Sequence, residues 1–351
     1  MIESHSSSPP HVYVILLNWN GWQDTIECLE SVFRLDHPHL SVIVCDNASS
    51  DDSIAKIEDW ANGYIAASCS SADLAHLSQP PIPKPVVFDV VSLSRRRKTP
   101  SRDANLTLIQ TGSNLGFAGG NNVGIRYALA RGDCDYVWLL NNDTVVDPES
   151  LTAMVQMAEE GTKLGICGSQ LRMYDSPHAT QTMGGRRYAR WSGRTSPLQA
   201  LATPQISSTS GAPDYIEGAS MLISRECLEA VGLLEESYFL YYEELDLATR
   251  AARHFFRWGY SSDSIVYHKE GASIGSTSVR AKRSALSDFY QTRNRIVFTR
   301  RYHPWFLPSV FAATGLGALQ RLMIGRLKNC GAILRGMFAS FSRARSHGKV
   351  G

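Results

Sequence analysis

Hydrophobic residues in the first half of the chain alternate between continuous apolar runs and helical spacing. Four runs are apolar almost throughout, as expected of strands buried on both faces of a sheet. These runs are Val12–Leu17, Ser41–Cys45, Leu106–Gln110 and Tyr136–Leu140. Helical spacing is found between them, in the segment with Ile26, Leu29 and Phe33, in Asp52–Trp60 and in Ala118–Ala130. This alternation predicts right-handed crossovers and a mainly parallel central sheet flanked by helices.

Two segments have neither pattern. Gly63–Asn105 holds clusters of Ser and Pro with the basic run Arg95–Lys98, and we predict a surface insertion with partial disorder. The basic run is expected to be a solvated loop rather than a binding patch. Ser192–Pro213, rich in Ser, Thr and Pro, is predicted to be a long loop.

The C-terminal part of the chain predicts a helical extension. Asp288–Arg301 has helical spacing, and Trp305–Leu319 is apolar but shorter than the roughly twenty residues that span a bilayer. Leu322–Phe341 interleaves apolar residues with arginine and lysine, which is typical of a helix lying in a membrane interface. The alternative is that this extension packs against the preceding domain or against a partner subunit in a homo-oligomer.

Charge favours the membrane interpretation. The 351 residues include 35 Lys and Arg against 33 Asp and Glu, and eleven of the basic residues follow Asp288, the last acidic residue. An acidic body with a basic tail predicts contact between the tail and an anionic membrane surface. The apolar run Val12–Leu17 is too short for a secretion signal, so we expect a cytoplasmic protein, peripheral on the inner face of the cell membrane. Seven scattered cysteines without a C-x-x-C spacing agree with a reducing compartment.

Polar clusters follow the predicted strands, where ligands bind in open α/β sheets. Asn18, Trp19 and Asn20 follow the first strand, and the indole ring can stack on a nucleobase, although a turn with a packing tryptophan is the simpler interpretation. Asp46 and Asn47 follow the second strand, where a carboxylate can accept hydrogen bonds from a base or a ribose.

A third cluster, Asn141-Asn142-Asp143, follows Tyr136–Leu140. Such oxygen ligands suit a hard divalent cation, Mg²⁺ or Mn²⁺, that also binds substrate phosphates. A loop leading into a helix is the alternative, because Asp147-Pro148-Glu149 has the composition of a helix start. His268 stands where a later strand, Ile265–Tyr267, is expected to end.

A fourth cluster holds Glu243, Glu244 and Asp246 after an aromatic run. Favourable interaction with a helix dipole would explain acids in a first helical turn. A crowded, partly apolar setting can also raise the pKa of one carboxylate toward that of a general base. In the glycine-rich stretch before Gly124, Gly119 and Gly120 would let backbone N–H groups approach a phosphate, although G-x-G-x-x-G is absent.

Taken together, these clusters resemble family 2 glycosyltransferases of the GT-A fold, the nucleotide-diphospho-sugar transferase fold, in particular their bacterial rhamnosyltransferase-like branch. The resemblance spans Val12 to Arg301, and its most specific motifs are Asn114–Asn122, Phe239–Leu247 and Tyr267–Lys269. With it we predict a polar tail over residues 1–11, a GT-A domain over 12–288 and the extension over 289–351. Within that domain, 63–105 is the insertion, 106–147 completes the donor and metal half, and 148–288 forms the acceptor half.

The resemblance also implies roles for individual residues. Trp19 would stack on the donor base and Asp46 would bond its edge, while Asp143 and His268 would hold the cation. Glu244 would be the base that deprotonates the acceptor, with Glu243 or Asp246 as substitutes. The other predicted donor contacts are Asn18, Asn20, Asn47, Asn114, Gly116, Gly119, Gly120, Asn122 and Asn142.

The chain departs from the family pattern in three places. The metal triplet keeps one carboxylate, Asp143; the base position holds Glu244 instead of Asp; and Asn121 replaces a basic residue that some members place near the donor phosphates.

The implied reaction is inverting transfer of a sugar, rhamnose from dTDP-rhamnose as first choice, to a cell-surface or lipid-linked saccharide. The partners are then the nucleotide-sugar donor and that acceptor, without nucleic acid. The alternatives are a weakened nucleotide-sugar or saccharide binding protein, made conceivable by the Asn-Asn-Asp triplet, and a sugar nucleotidyltransferase. The latter would want a basic phosphate loop after the first strand, and Asn18–Gly21 supplies none.

Overall fold

The computed structural model describes residues 8–93, 104–160, 164–198, 212–269 and 283–341. Its strands are β1 (Val12–Asn18), β2 (Leu40–Asp46), β3 (Phe88–Ser92), β4 (Leu106–Gln110), β5 (Tyr136–Asn141), β6 (Thr144–Val146), β7 (Leu164–Met173), β8 (Ser176–Met183), β9 (Gly185–Ala189), β10 (Arg194–Pro197), β11 (Tyr215–Ile216), β12 (Ser220–Ser224) and β13 (Arg257–His268). Its α-helices are α1 (Trp22–Val32), α2 (Ser53–Asn62), α3 (Ala75–Ser78), α4 (Gly116–Arg131), α5 (Ser150–Glu159), α6 (Arg225–Val231), α7 (Glu243–Arg253), α8 (Ala285–Tyr302), α9 (Leu307–Met323) and α10 (Leu327–Ala339).

One large sheet has the strand order β3-β4-β2-β1-β5-β12-β7-β13-β6, with β8 added beside β7. Its first five strands are parallel to one another, as are β7 and β13, whereas β12, β6 and β8 pair in antiparallel fashion. A small second sheet has the order β10-β9-β11. The prediction of a mainly parallel sheet flanked by helices is confirmed.

Helix α4 approaches the central strand β1 unusually closely. A Cβ atom on Gly124 would lie 2.7 Å from Cγ2 of Ile15, and one on Gly120 would overlap Leu17. Only glycine permits this packing without a shift of the backbone. The glycines therefore position the N-terminus of α4 directly beside the end of β1.

The predicted insertion is partly wrong. Phe88–Ser92 forms the edge strand β3, parallel to β4, and Leu74 and Leu77 are buried against Val145 and Tyr174. The sequence signal was weak because β3 is short, half-buried and preceded by a proline cluster. The basic run lies outside the described residues, as does 199–211 of the predicted long loop, whereas β10 belongs to that loop's described part.

A buried ion pair holds the C-terminal helices together. The guanidinium of Arg321 on α9 donates to both carboxylate oxygens of Asp288 on α8, at 2.9 and 3.1 Å. Asn329 on α10 donates to the same carboxylate at 2.8 Å. Among the described residues, no helix is both long and apolar enough to cross a bilayer.

Candidate active site

Three of the predicted clusters meet at the carboxyl edge of the sheet. In the strand register, Asn18 lies opposite Asp46 and Leu17 lies opposite Asn141. This arrangement follows from parallel pairing, because parallel strands end at the same edge.

The first two clusters are joined by hydrogen bonds. The buried Asn18 donates to Asp46 at 2.9 Å, and the Ser49 hydroxyl donates to the same carboxylate at 2.5 Å. Asn20, at a positive φ of 53°, accepts a hydrogen bond from the Ser50 N–H at 2.7 Å. The half-buried Trp19 lies between Asn18 and Asn20. Its stacking on a base and the contact of Asp46 with a base stay predictions.

The beginning of α4 is organised by side-chain amides. Asn47 accepts a hydrogen bond from the N–H of Leu115 at 2.9 Å, and Asn114 accepts one from the N–H of Gly116 at 2.9 Å. The N–H of Phe117 donates to the carbonyl of Phe239 at 2.7 Å. Consecutive amides at this helix start therefore already bind protein acceptors, which reduces what they can offer a phosphate.

Gly116 has a φ of 71°, and a Cβ atom there would overlap the carbonyl oxygen of Phe239, so this position requires glycine.

Asn122 joins α4 to the segment before α7. Its amide donates to the carbonyl of Leu234 at 2.8 Å and to Glu236 at 2.9 Å, and its oxygen accepts from the N–H of Leu234 at 3.0 Å. Gly119, like Gly120, has no room for a side chain, because a Cβ atom on it would lie 2.8 Å from that of Leu115. Packing accounts for all three residues, and their contact with a donor stays a prediction.

Asp143 and His268 come together although 125 positions separate them. The carboxylate Oδ1 of Asp143 lies 3.2 Å from Nε2 of His268, and both side chains are about nine-tenths buried. Asn142 turns toward α1 and donates to the Thr25 hydroxyl at 2.9 Å. The two predicted metal ligands therefore lie next to each other, and Asn142 joins their loop to α1.

The hydrogen bonds of His268 fit a metal ligand. Nδ1 lies 3.1 Å from Oε1 of Gln181, an oxygen that can only accept, and Nε2 lies 3.3 Å from Nδ2 of Asn141, an amide that can only donate. With the proton on Nδ1, the lone pair of Nε2 would face the Asp143 carboxylate, whereas with a proton on Nε2 the imidazole would donate to that carboxylate. Two acceptors at this distance are suited to sharing a cation, and the Gln181 contact is the outer-shell bond that ligating histidines usually make.

No group of three or more His, Cys, Asp or Glu side chains suited to a metal occurs within the described residues. Asp143 and His268 stay predicted ligands, and a cation held by these two side chains would take its other ligands from phosphates and water.

Lys269 forms a buried charge network that sequence reasoning missed. Its ammonium donates to Asp24 and to Glu27, each at 2.6 Å, and its backbone N–H donates to the carbonyl of Asp143 at 3.0 Å. The two carboxylates raise the pKa of Lys269, so this residue stays charged. The network holds the Asp143 loop against α1, and its only sequence signal was a lysine directly after His268.

Glu244 lies in the first turn of α7 and contacts the turn before β12. A Cβ atom on Gly218 would lie 2.9 Å from Oε1 of Glu244, so the carboxylate lies directly against the backbone of Gly218. Burial raises the pKa of Glu244 to about 7, and the negative charge of Glu217 adds to the increase. A carboxylate with this pKa is suited to accept a proton near neutral pH.

Glu244 and the loop of Asp143 contact the same short turn. The carbonyl of Ala219, next to Gly218, accepts a hydrogen bond from the N–H of Asn141 at 3.0 Å. Glu244 therefore contacts the same turn that pairs with the start of the Asn141–Asp143 triplet. The structure brings the two halves of the predicted site together.

Asp246 is excluded as a substitute base. It is fully buried, with Arg250 donating to it at 2.6 Å and the Tyr302 hydroxyl donating at 2.6 Å. Tyr302 ties α7 to α8, Arg250 binds within α7, and both donors occupy the Asp246 carboxylate. Glu243 is 1% exposed and its pKa is raised well above the ordinary value, by burial and then by the charge of Glu244. Because its pKa is raised this far, we expect Glu243 to be protonated beside Glu244, and it stays a less suitable candidate for the base than Glu244.

The segment before Glu244 is strained, and Asn294 on α8 supports it. Phe239, Tyr241 and Tyr242 all have positive φ values, of 66°, 69° and 79°. The Asn294 amide donates to the carbonyls of Tyr238, Leu240 and Tyr241 at 2.8, 2.7 and 3.0 Å. Such strain persists only where the surroundings hold it, so Asn294 positions Glu244 indirectly.

Asn294→Ala is expected to lower the free energy of unfolding by about 2–3 kcal/mol, because buried carbonyls lose their donor. Urea denaturation measures this loss, and the exposed Asn62→Ala on α2 is the control, with an expected change under about 0.5 kcal/mol. An Asn294→Ala protein as stable as the control would show that the strained turn keeps its conformation without the hydrogen bonds of Asn294.

Comparison with known proteins finds sugar transferases. A family model described as glycosyltransferase-like family 2 matches residues 90–287. A hexosyltransferase of low-salt glycan biosynthesis, Agl10 of Haloferax volcanii, is 27% identical over 60% of this chain and 66% of its own length. An N-acetylglucosaminyl-diphospho-decaprenol L-rhamnosyltransferase of Mycobacterium tuberculosis is 25% identical over 64% of this chain and 77% of its own. The chain thus spans just under two thirds of the archaeal relative.

Solved structures agree on the fold. The mannosyltransferase PcManGT of Pyrobaculum calidifontis, solved with GDP-mannose and Mn²⁺, has a TM-score of 0.52 at 15% identity, covering 95% of this chain and 88% of its own. GalNAc-T7, solved with UDP, GalNAc and Mn²⁺, has a TM-score of 0.59 at 10% identity, covering 95% and 56%. Both likenesses concern the GT-A fold alone.

Proposed function

Because the chain belongs to glycosyltransferase family 2, we propose that it is an inverting, metal-dependent enzyme that transfers a sugar from a nucleotide-diphosphate donor to a saccharide hydroxyl. Rhamnose from dTDP-rhamnose is the first choice, since one relative is named a rhamnosyltransferase. The acceptor is a lipid-linked or cell-surface saccharide. The single observation that carries the proposal is the turn at Gly218 and Ala219, which joins Glu244 to the Asp143 loop.

Glu244 is the proton acceptor in this mechanism. As the acceptor oxygen forms a bond to the anomeric carbon, its proton passes to the Glu244 carboxylate. The bond between the anomeric carbon and the donor phosphate oxygen breaks, and the nucleoside diphosphate leaves with the electron pair. One displacement of this kind inverts the anomeric centre.

Asp143 and His268 would hold the cation, Mg²⁺ or Mn²⁺. A divalent cation bound there supplies positive charge that offsets the charge of the departing diphosphate. Lys269 and Asn142 keep the Asp143 loop in place, so the protein ligands are ordered before the donor binds.

A screen of nucleotide sugars by thermal shift, with Mn²⁺ and with EDTA, tests the proposal. We expect dTDP-rhamnose to raise the melting temperature most, and only with Mn²⁺, because binding to the folded state stabilises it. A larger shift with a UDP- or GDP-sugar would change the donor assignment. Donor binding without any transfer or hydrolysis would favour the weakened binding protein.

The turn between α9 and α10 supports peripheral membrane contact. Met323, Ile324 and Leu327 are 72%, 53% and 66% exposed there, beside Arg326. Apolar side chains next to a cation are typical of a segment that enters the interface of an anionic membrane.

Replacing Met323, Ile324 and Leu327 together with Ser is expected to weaken binding to phosphatidylcholine–phosphatidylglycerol vesicles by about tenfold or more. Sedimentation measures the bound fraction. Phe255→Ser is the control, because Phe255 is 93% exposed elsewhere on the protein. Equal binding of the triple variant and the control would remove this turn from the membrane contact. Point variants are preferable to truncation, since deleting α9 would leave Asp288 buried without Arg321.

A further inference from the structure

A small cavity of about 50 Å³, open to solvent, lies where β10 meets α8, α9 and α10. It is thus formed jointly by the extension and the preceding domain. Its charged lining residues are Arg194, Arg283, Arg295, Arg321 and Asp288.

The lining has an excess of positive charge. Arg321 pairs with Asp288 through two hydrogen bonds, and Asp288 is the one acidic residue of the lining within the described part of the chain. Arg194 donates to the carbonyl of Ala313, and Arg283 donates to Gln291. Guanidinium groups match phosphate oxygens in shape and charge better than ammonium groups do. The cavity is therefore suited to an anion with several oxygens.

Arg295 provides a second observation. Its Nε–H is buried and has no hydrogen-bond partner within the described part of the chain. Buried polar groups are almost always satisfied, so an orphaned donor in a charged cavity indicates an acceptor supplied from outside the protein.

The cavity adjoins the proposed base. Arg295 packs against Gly193, whose carbonyl accepts a hydrogen bond from the Tyr242 hydroxyl, and Tyr242 immediately precedes Glu243 and Glu244 on α7. On the α9 side, Leu316 and Leu319 flank cavity residues in the sequence and are 67% and 50% exposed. An anionic group in the cavity would thus lie between the reacting end of the acceptor and an apolar surface.

We propose that this cavity binds the phosphate or diphosphate group of a lipid-linked acceptor, whose lipid chain follows the exposed apolar residues of α9. The proposal rests on the proposed function for the identity of the acceptor. The anion site itself stands on the cavity and its arginines.

Calorimetry on the full chain in EDTA tests the site with inorganic pyrophosphate. We expect binding that Arg295→Gln weakens at least tenfold, whereas Arg300→Gln, which removes an exposed arginine from the same helix, changes it less than twofold. Equal affinities for the wild type and Arg295→Gln would overturn the site.

Farnesyl diphosphate and farnesol distinguish the source of the anion. Tighter binding of farnesyl diphosphate than of pyrophosphate, lost in Arg295→Gln, is the expected result. If farnesyl diphosphate binds no more tightly than pyrophosphate, the lipid-linked assignment is overturned in favour of a free phosphate. Binding of farnesol as tight as that of farnesyl diphosphate would overturn the anion site.

A separate arm measures dTDP binding with Mn²⁺. Arg295→Gln is expected to bind dTDP as the wild type does while losing pyrophosphate in EDTA. A wild type that binds pyrophosphate but none of dTDP, UDP and GDP would contradict the proposed function and leave the anion site standing.

Discussion

Glu244→Gln is expected to reduce sugar transfer by about 10²- to 10⁴-fold, the usual contribution of a general base. The amide keeps the size of the carboxylate and its contact with Gly218 but cannot take the acceptor proton. Donor affinity should stay unchanged, because the predicted donor contacts lie at the carboxyl edge of β1, β2 and β5. Turnover at saturating donor and acceptor, together with calorimetry of donor binding, separates the two effects.

The matched control is Glu229→Gln on α6, whose side chain is 55% exposed and pairs with Arg225. It should keep turnover within about twofold of the wild type. If Glu244→Gln also stays in that range, Glu244 is not the base, and Glu243→Gln becomes the next variant to measure.

The pH dependence has a defined sign. Burial, with the charge of Glu217, raises the pKa of Glu244 to about 7, and the base must be ionised to act. The transfer rate should therefore rise with pH through about 7 and level off above it. In Glu244→Gln the residual rate should lose this step. The range from about pH 6 to about pH 8 extends one unit on either side of that pKa. A wild-type transfer rate that is flat over this range would contradict the assignment of Glu244 as the base.

Most of the fold follows from local patterns. Parallel strands buried on both faces are continuous apolar runs, so β1, β2, β4 and β5 were predicted within a residue at either end. The edge strand β3 was missed because half-burial leaves a weaker pattern. The clusters at the strand ends were also visible, since parallel pairing places them at one edge.

Roles that depend on distant partners were not visible in the sequence. Asp246 resembles a first-turn acid, and only the approach of Tyr302, 56 positions away, shows that it holds two helices together. Asn294 has no local signal at all, because its three partners belong to another segment. Hydrogen bonds across the fold decide which of several similar acids or amides remains available for chemistry.

The pairing of Asp143 with His268 was implied by resemblance alone, since no spacing rule connects residues so far apart. Its physical cause is that β13 pairs with β6, which places His268 opposite Thr144, the residue after Asp143. The sheet therefore sets the distance between the two ligands.

Asp143→Asn is expected to weaken Mn²⁺-dependent donor binding by about 100-fold or more, because the one carboxylate of the metal pair is lost. The amide can keep the size of the side chain but lacks the charge that attracts a divalent cation. Calorimetry with dTDP-rhamnose, with Mn²⁺ and with EDTA, measures the effect. Affinity in EDTA should be the same in the wild type and the variant.

Asp73→Asn is the control for charge, since Asp73 is exposed on the surface. It should leave the Mn²⁺ dependence intact. A wild type whose donor affinity is equal in Mn²⁺ and EDTA would show that the donor binds without a cation. His268 would then have to be explained by its hydrogen bonds to Gln181 and Asn141 alone, and the facing lone pairs of Nε2 and Asp143 would require a proton between them.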